Sequence, residues 1–475
     1  MNTPKEIFKQ YKEARQYKTS LGDKGMYMQN RINDRFYMGD QWYGANVSAD
    51  RPLVRHNIIK RIGEYKMGDI ISKNIKLSFL AQGVSLTAED IKDSAENRKT
   101  AAMGKFEFKD KADAKEIRLL SDALSSFYKA TAYRLRFKEK LCQLLKNSFI
   151  TGTGVLYTYW DNNADYMRGD ISCEVLPVEN LYFGDNSEDI LENQPYIILV
   201  THMDIDSLKR TAKACGGEVS LITPDSYSSN KATVYTKLYK EYVDGNYKIM
   251  ATAVTEKAVV RPVYDTHLTR YPISIFAWEK NENFIFGESE VTHLIPNQIA
   301  INRMLTASVW ASMCMGMPIM TVNGDTVTGE ITNDPGQIIK VYGSNEDVKG
   351  AVNFVSPPDF TANFSDSVSS LIANTLEGSG AGMTALGRIS YNNTAAIESL
   401  NNVSGVSQLS LFTRYCSFLE ETALIWLDFW INKYGKRDIV IEDENGRWYF
   451  PFDAERYKGI RFFIKTMEEE ENDNS

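Results

Sequence analysis

Apolar positions along the chain change period several times, and each change marks an element. Residues 3 to about 38 carry Ile7, Tyr11, Met26, Met28 and Ile32 at helical spacing, which predicts a helix stopping at Gly39. An aromatic turn, Phe36-Tyr37-Met38-Gly39-Asp40-Gln41-Trp42, leads to Arg51-Pro52 and His56-Asn57-Ile58-Ile59. A helix over about 57–72 and a short strand near 75–79 come next. Residues 88–117 are dense in charge of both signs and read as an exposed helix or an excursion from the fold. From about 117 to 149, Leu119, Leu124, Phe127, Tyr128, Leu141, Leu144 and Leu145 suggest one long helix ending at Thr151-Gly152-Thr153-Gly154. The period then falls to two over 155–160, 171–176, 196–200, 234–243 and 247–254, the last pair flanking Asp244-Gly245 as a hairpin does. This block, closed by Trp278, predicts an antiparallel sheet layer.

Helical spacing returns after Phe286-Gly287-Glu288-Ser289-Glu290, through Val291, Leu294, Ile295, Gln298, Ile301, Asn302, Leu305, Val309 and Met313 up to Gly316. Glu288, Glu290 and Arg303 are the only Asp, Glu, Lys or Arg residues between Glu288 and Gly324, so this helix has almost no solvated face. Such a helix is expected to be buried, here by other copies of itself. The uncharged run Met304–Gly324 is interrupted by Ser308, Ser312, Gly316, Pro318, Thr321 and Asn323, which argues against a membrane span. Residues 317–358 predict short strands and turns. A helix capped by Ser365 or Asp366 follows through Val368, Leu371, Ile372 and Leu376 to Gly378. After a Gly- and Asn-rich stretch over 378–394, residues 395–431 hold no proline and predict a helix roughly 55 Å long, with Gly405 as a candidate kink. Strands over 438–464 and an acidic, disordered tail over 467–475 complete an α+β reading.

Composition narrows the function. With 43% hydrophobic and 12% aromatic residues, the 475-residue chain can build a sizeable core, and a net charge of −8 argues against a broad nucleic-acid-gripping surface. The charged, amphipathic start lacks the apolar centre of a signal peptide, which predicts a cytoplasmic product. Cys142, Cys173, Cys215, Cys314 and Cys416 are far apart and odd in number, so they are expected to be reduced, small buried groups.

Motifs for chemistry are sparse. Gly380-Ala381-Gly382-Met383-Thr384-Ala385 matches GxGxxA but follows a helix, where a dinucleotide site requires a preceding strand, so a flexible loop is expected. No GxxxxGK[ST], HExxH or GxSxG occurs. Of His56, His202, His267 and His293, none lies four residues from another, and His293 is expected to be packed or hydrogen-bonded. Asp161, Asp165, Asp185, Glu188 and Asp189 lack the alternation of a calcium loop and read as turn acids. No catalytic residue, cofactor or metal is predicted.

The order of elements resembles that of the tailed-bacteriophage portal, or head-to-tail connector, family. Particular stretches carry the resemblance: Tyr37 to Trp42 with Arg51-Pro52 and Asn57, Thr151 to Gly154, and Phe286 to Glu290 leading to Gln298 and Asn302. Ala385-Leu386-Gly387 before Asn392 to Ile397 and Leu400 belongs with them. Another structural subunit, such as a neck, tail-tube or filament protein, is the rival among assembly proteins, and a tail tube would not show this order.

The resemblance implies a helical and β wing over 1–285, a stem helix over 286–316, a clip over 317–358 and a second stem helix over 359–377. A tunnel loop over 378–394 would follow, then a long wing or crown helix over 395–434 and C-terminal strands over 435–475 making at most a short crown. It implies a homo-oligomeric ring of about twelve copies at one capsid vertex, passing double-stranded DNA. Partners would be the large terminase subunit, a neck or adaptor protein, and the major capsid and scaffolding proteins, with no membrane. Assembly would take place in the host cytoplasm and the ring would reside in the virion. Val291, Leu294, Ile295, Ile301, Leu305, Val309, Val368, Leu371 and Ile372 would form the stem and subunit interface, and Asn323, Asp325, Lys340 and Lys349 the clip's docking surface. Arg388, Ser390, Asn392 and Asn393 would face DNA, Arg388 being the single charge between Gly378 and Thr394. Such a ring would carry a charge of roughly −96, which repels phosphate and keeps contact weak.

Overall fold

The computed structural model describes residues 3–45, 52–81, 114–243, 245–282, 284–315, 319–325, 327–328, 338, 340–344, 350–355, 361–381, 394–443, 446–458 and 460–468. In chain order the longer helices are α1 (Pro4–Ser20), α2 (Met26–Met38), α3 (Ile58–Ser72), α4 (Ala114–Arg134) and α5 (Phe137–Thr151). They continue with α6 (Ile205–Cys215), α7 (Glu290–Met315), α8 (Thr361–Gly378) and α9 (Thr394–Lys433). The strands are β1 (Ile75–Ala81), β2 (Thr153–Asp161), β3 (Asp170–Leu176), β4 (Leu181–Phe183), β5 (Tyr196–Asp204), β6 (Lys231–Val243), β7 (Asn246–Val254), β8 (Val259–Asp265) and β9 (Ile273–Ala277). After them come β10 (Ile319–Val322), β11 (Val327–Thr328), β12 (Lys340–Val341), β13 (Val352–Val355), β14 (Lys436–Asp443), β15 (Gly446–Asp453) and β16 (Phe462–Glu468). The class is α+β. Among the described residues no helix is long and apolar enough to cross a membrane.

The chain divides into two units: residues 1–34, 63–293 and 401–475 in one, residues 35–62 and 294–400 in the other. Each division point falls within a helix, α2, α3, α7 or α9.

In the first unit the two-residue period forms two antiparallel sheets where the pattern predicts one layer. Strands β4-β5-β6-β7-β8 make the larger and β3-β2-β9 the smaller. Successive side chains of a strand point to opposite faces, and β6 uses both. Tyr235 packs with Ile7, Tyr11 and Ala14 of α1, while Ala232 and Val234 pack with Ile205, Leu208 and Ala212 of α6. Asp204 starts α6 by accepting from the backbone N–H groups of Asp206 and Ser207, and Gly216 ends it in a left-handed conformation.

The part of α9 in this unit is buried on several faces. Trp426 meets Tyr128 and Phe137 at ring-centroid distances of 4.9 and 5.0 Å, and Trp430 meets Phe127 at 4.8 Å. Thr422 donates to Ser274 of β9 at 2.9 Å, which satisfies a hydroxyl inside the core. The helix thus finds cover for Leu411 to Trp430 within its own chain. Strand β16 closes the unit by pairing antiparallel with β1, Ile75 opposite Glu468.

Several boundaries differ from the periodic pattern. The first predicted helix is two, broken at Gly22 and Gly25, both at positive φ; a Cβ on Gly25 would stand 2.2 Å from the Thr19 carbonyl oxygen. The predicted 117–149 helix is also two, separated at Leu135-Arg136, where Arg136 is left-handed with φ +49°. Apolar spacing survives both breaks, so it could not reveal them. Helix α8 starts at Thr361, earlier than the predicted caps Ser365 and Asp366. Of the cysteines expected to be buried, Cys173 is, whereas Cys142 is exposed and Cys215 and Cys416 are half-buried; the Cys314 side chain lies outside the described residues. Most of the charged stretch 88–117 and nearly all of the tail 467–475 lie outside the described residues.

Gly152 and Gly287 approach backbone to backbone. A Cβ on Gly152, whose φ is +86°, would stand 2.2 Å from the Gly287 carbonyl oxygen, and one on Gly287 would stand 2.4 Å from that of Gly152. Gly152→Ala is therefore expected to cost at least ~2 kcal/mol. Gly68→Ala, on the open face of α3, should gain up to ~1 kcal/mol. Denaturant midpoints of the two variants, moving in opposite directions, check both.

Candidate functional site

Tyr37–Trp42, Asn57, Thr151–Gly154, Phe286–Glu290, Gln298 and Asn302 are far apart in sequence, yet they meet in two polar knots, one in each unit, while Arg51 and the Ala385–Asn393 stretch lie outside the described residues. In the second unit Gln298 and Asn302, one turn apart on α7, are both buried. Gln298 Oε1 accepts from the backbone N–H of Ile58 at 2.9 Å and of Ile59 at 3.4 Å, which caps the start of α3 from another helix. Gln298 Nε2 donates to the His56 carbonyl at 2.7 Å and to Asn302 Oδ1 at 3.0 Å, so both ends of the amide are fully used. Asn302 Oδ1 also accepts from the His56 backbone N–H at 3.1 Å, and Asn302 Nδ2 donates to Gln41 Oε1 at 2.6 Å. Gln41 reaches back to the Phe36 carbonyl at 3.0 Å, closing the aromatic turn. Asn57 caps α3 locally, accepting from the Lys60 N–H at 3.1 Å, and donates to the Tyr37 carbonyl at 2.8 Å.

In the first unit the Thr151–Gly154 and Phe286–Glu290 stretches meet. Gly287 N–H donates to Thr153 Oγ1 at 2.9 Å, Trp278 N–H to the Gly152 carbonyl at 2.9 Å, and Ser289 Oγ to the Phe149 carbonyl at 2.8 Å. Ser289 Oγ also accepts from the Val291 N–H at 3.2 Å as α7 begins. The Glu290 carboxylate is divided between Lys66 Nζ at 2.7 Å and Trp278 Nε1 at 2.8 Å, in surroundings where both ion-pair partners are mostly covered. Asn33 donates to the Ile150 carbonyl and to Thr292 Oγ1, each at 2.9 Å.

Donors and acceptors in both knots are spent on one another. They hold backbone in register. Among the described residues no group of three or more His, Cys, Asp or Glu side chains is placed to hold a metal ion. The five acids of residues 161–189 have other roles: Asp161, Asp185 and Glu188 accept from nearby backbone N–H groups, and Asp189 pairs with Lys280 at 2.9 Å. Asp165 stands 3.9 Å from Arg437. His293 is exposed, with Nε2 3.3 Å from Glu288.

The predicted stem positions separate into three groups. Val291, Leu294 and Ile301 on α7 and Val368 on α8 are buried by the chain itself. Ile295, Leu305, Leu371 and Ile372 are half-buried. Val309 is 38% exposed, and Met313, one turn further along α7, is 56% exposed. Asn297 of α7 donates to Thr375 of α8 at 3.3 Å.

Beyond α7, β10 pairs with β13 and β11 with β12 in two separate ribbons. Asn323 donates its N–H to the Ala351 carbonyl at 2.9 Å, and its side chain accepts from the Asp325 N–H at 3.1 Å, a turn that shapes the end of β10. Lys340 is exposed on β12, near Ile338, which is 86% exposed, and the exposed Tyr342. Lys349, Arg388, Ser390, Asn392 and Asn393 lie outside the described residues.

Lys66 and Trp278 carry no site signal in the sequence, and Gln41 and Glu290 appear there only as members of the resembling stretches. A usable signal was present in Gln298 and Asn302, two carboxamides four residues apart on an otherwise apolar helix, because a buried amide must be paired. Gln298→Ala strips the α3 start of an acceptor and orphans the Asn302 contact, at an expected cost of about 2–3 kcal/mol. Gln298→Glu keeps the acceptor but brings a charge into the same space and should cost more. Equilibrium unfolding of both variants checks the order.

Compared with known proteins, the chain matches no family model, and no curated sequence is a significant match to it.

Proposed function

We propose that this chain is the portal subunit of a tailed bacteriophage, closing with copies of itself into a ring that conducts double-stranded DNA during packaging and ejection. The observation that carries the reading is the order of elements from Glu290 to Lys433: α7, two short ribbons, α8 and the 40-residue α9. That order corresponds to stem, clip, second stem helix and long wing helix in the family the sequence resembles. Convergence of the resembling stretches on two polar knots supports it, since motifs that share a structural task gain weight together.

Physical chemistry supplies the second support. Val309 and Met313 on α7, and Met320, Val322, Ile338 and Tyr342 on the ribbons, are apolar groups left exposed on one chain. Two-stranded ribbons are marginal alone, and closed symmetric rings bury such heterologous surfaces. Half-buried Ile295, Leu305, Leu371 and Ile372, with Val309, would then serve as the subunit interface. Asn323, Asp325 and Lys340 would face the terminase or the neck protein. A net charge of −8 per subunit suits a channel past which phosphate slides, with Arg388 as a discrete contact in each subunit.

Multi-angle light scattering of the purified chain tests the assembly. A closed oligomer is expected, and a monomer persisting at high concentration overturns the reading. Arg388→Ala should leave that oligomer intact and lower DNA packaging or retention; packaging at the wild-type level would remove Arg388 from its role.

A further inference from the structure

Lys18 is 1% exposed, the one charged-type side chain among the largest fully buried groups of the described residues. It lies in the last turn of α1, whose Ile7, Tyr11 and Ala14 pack against Tyr182, Ile198, Val200, Tyr235 and Val254 of the larger sheet. Its amine donates to the Val178 carbonyl at 2.6 Å and to the Leu181 carbonyl. Two ring faces enclose it, Tyr182 at 4.4 Å and Phe286 at 4.9 Å from the nitrogen. Among the described residues no carboxylate lies within ion-pair distance.

The pocket thus offers two acceptors. A neutral amine has two N–H groups and fits them; an ammonium has a third, which finds only ring faces. Those faces attract a cation and partly offset its burial. The titratable and charged groups around the site are few. Glu179, on the short helical turn 178–180, favours the ammonium, and its carboxylate is occupied by Asn30 at 2.7 Å. Tyr182 of β4 is hydrogen-bonded to Tyr27 of α2 at 2.9 Å, and Tyr11 and Arg15 belong to α1 itself.

We propose that Lys18 is a proton-controlled latch: α1 stays docked on the larger sheet while the amine is neutral and is released more readily once it is protonated. Burial, opposed by Glu179, brings the Lys18 pKa down to about 7, near the pH of a cell. Released α1 has an ordinary, higher lysine pKa, so the released state holds more protons throughout the interval between the two. Docking is therefore weakest below pH 7 and strengthens as pH rises above it. Release would uncover Ile7, Tyr11 and the sheet residues Tyr182 and Tyr235 together, an apolar surface that the docked state hides. The inference is independent of whether the chain forms a ring.

Hydrogen exchange of the α1 amides in the full chain, corrected for the intrinsic pH dependence of exchange, tests it. The opening constant of α1 should be on the order of 30-fold larger at about pH 6 than at about pH 8.5. Lys18→Met should abolish this dependence, and Lys18→Arg should leave α1 exchanging readily at both values. Glu179→Gln, which keeps an acceptor for Asn30, should leave the fold intact and move the midpoint to lower pH. Equal wild-type protection at the two pH values overturns the proposal, as does a wild-type pH dependence surviving in Lys18→Met or an unmoved midpoint in Glu179→Gln.

Discussion

The carboxamide of Gln298 satisfies four backbone or side-chain groups at once, and the path of the second unit depends on it. Backbone N–H groups at the start of a helix have no partner within that helix. For α3 they are met by Gln298 from α7 and by Asn57, the residue just before the helix. Asn302 then ties the same helix to Gln41 and so to the aromatic turn. In a buried setting each of these bonds is expensive to leave unmade, and a network satisfied at every member specifies one arrangement. The first unit solves a related problem by close approach: Gly152 and Gly287 remove two side chains so that the Gly152 carbonyl can accept from the Trp278 N–H and the Gly287 N–H can donate to the Thr153 hydroxyl.

Periodicity made the elements legible and left their junctions hidden. The alternation in 234–243 and 247–254 and the Asp244-Gly245 dipeptide sufficed for the β6–β7 hairpin, where Val243 pairs with Asn246. The proline-free span 395–431 sufficed for α9, which runs from Thr394 to Lys433. The breaks at Gly22–Gly25 and at Arg136 depend on single backbone conformations, which leave apolar spacing unchanged. The pairing of β1 with β16 joins residues almost four hundred positions apart, and alternation alone says nothing about which strand is neighbour to which.

The candidate site was legible in a different way. Tyr37–Trp42, Thr151–Gly154 and Phe286–Glu290 were visible in sequence as separate words, while the hydrogen bonds made within each knot belong to tertiary structure. Glu290 illustrates the gap: as a residue of Phe286–Glu290 it could be noticed, but its division between Lys66 and Trp278 required the fold. Burial also redistributes the stem positions. Val291, Leu294, Ile301 and Val368 serve their own chain's core, while Val309 and Met313 near the end of α7 are exposed.

Within the second unit, the helix–ribbon–helix segment of α7, β10–β13 and α8 leaves Val309, Met313, Ile338 and Tyr342 exposed. That arrangement suits a subunit whose remaining surface is completed by neighbours. Electron microscopy of the purified protein viewed end-on tests the account most directly. It predicts closed rings with a central hole wide enough for a DNA duplex; solid particles or open filaments would contradict it.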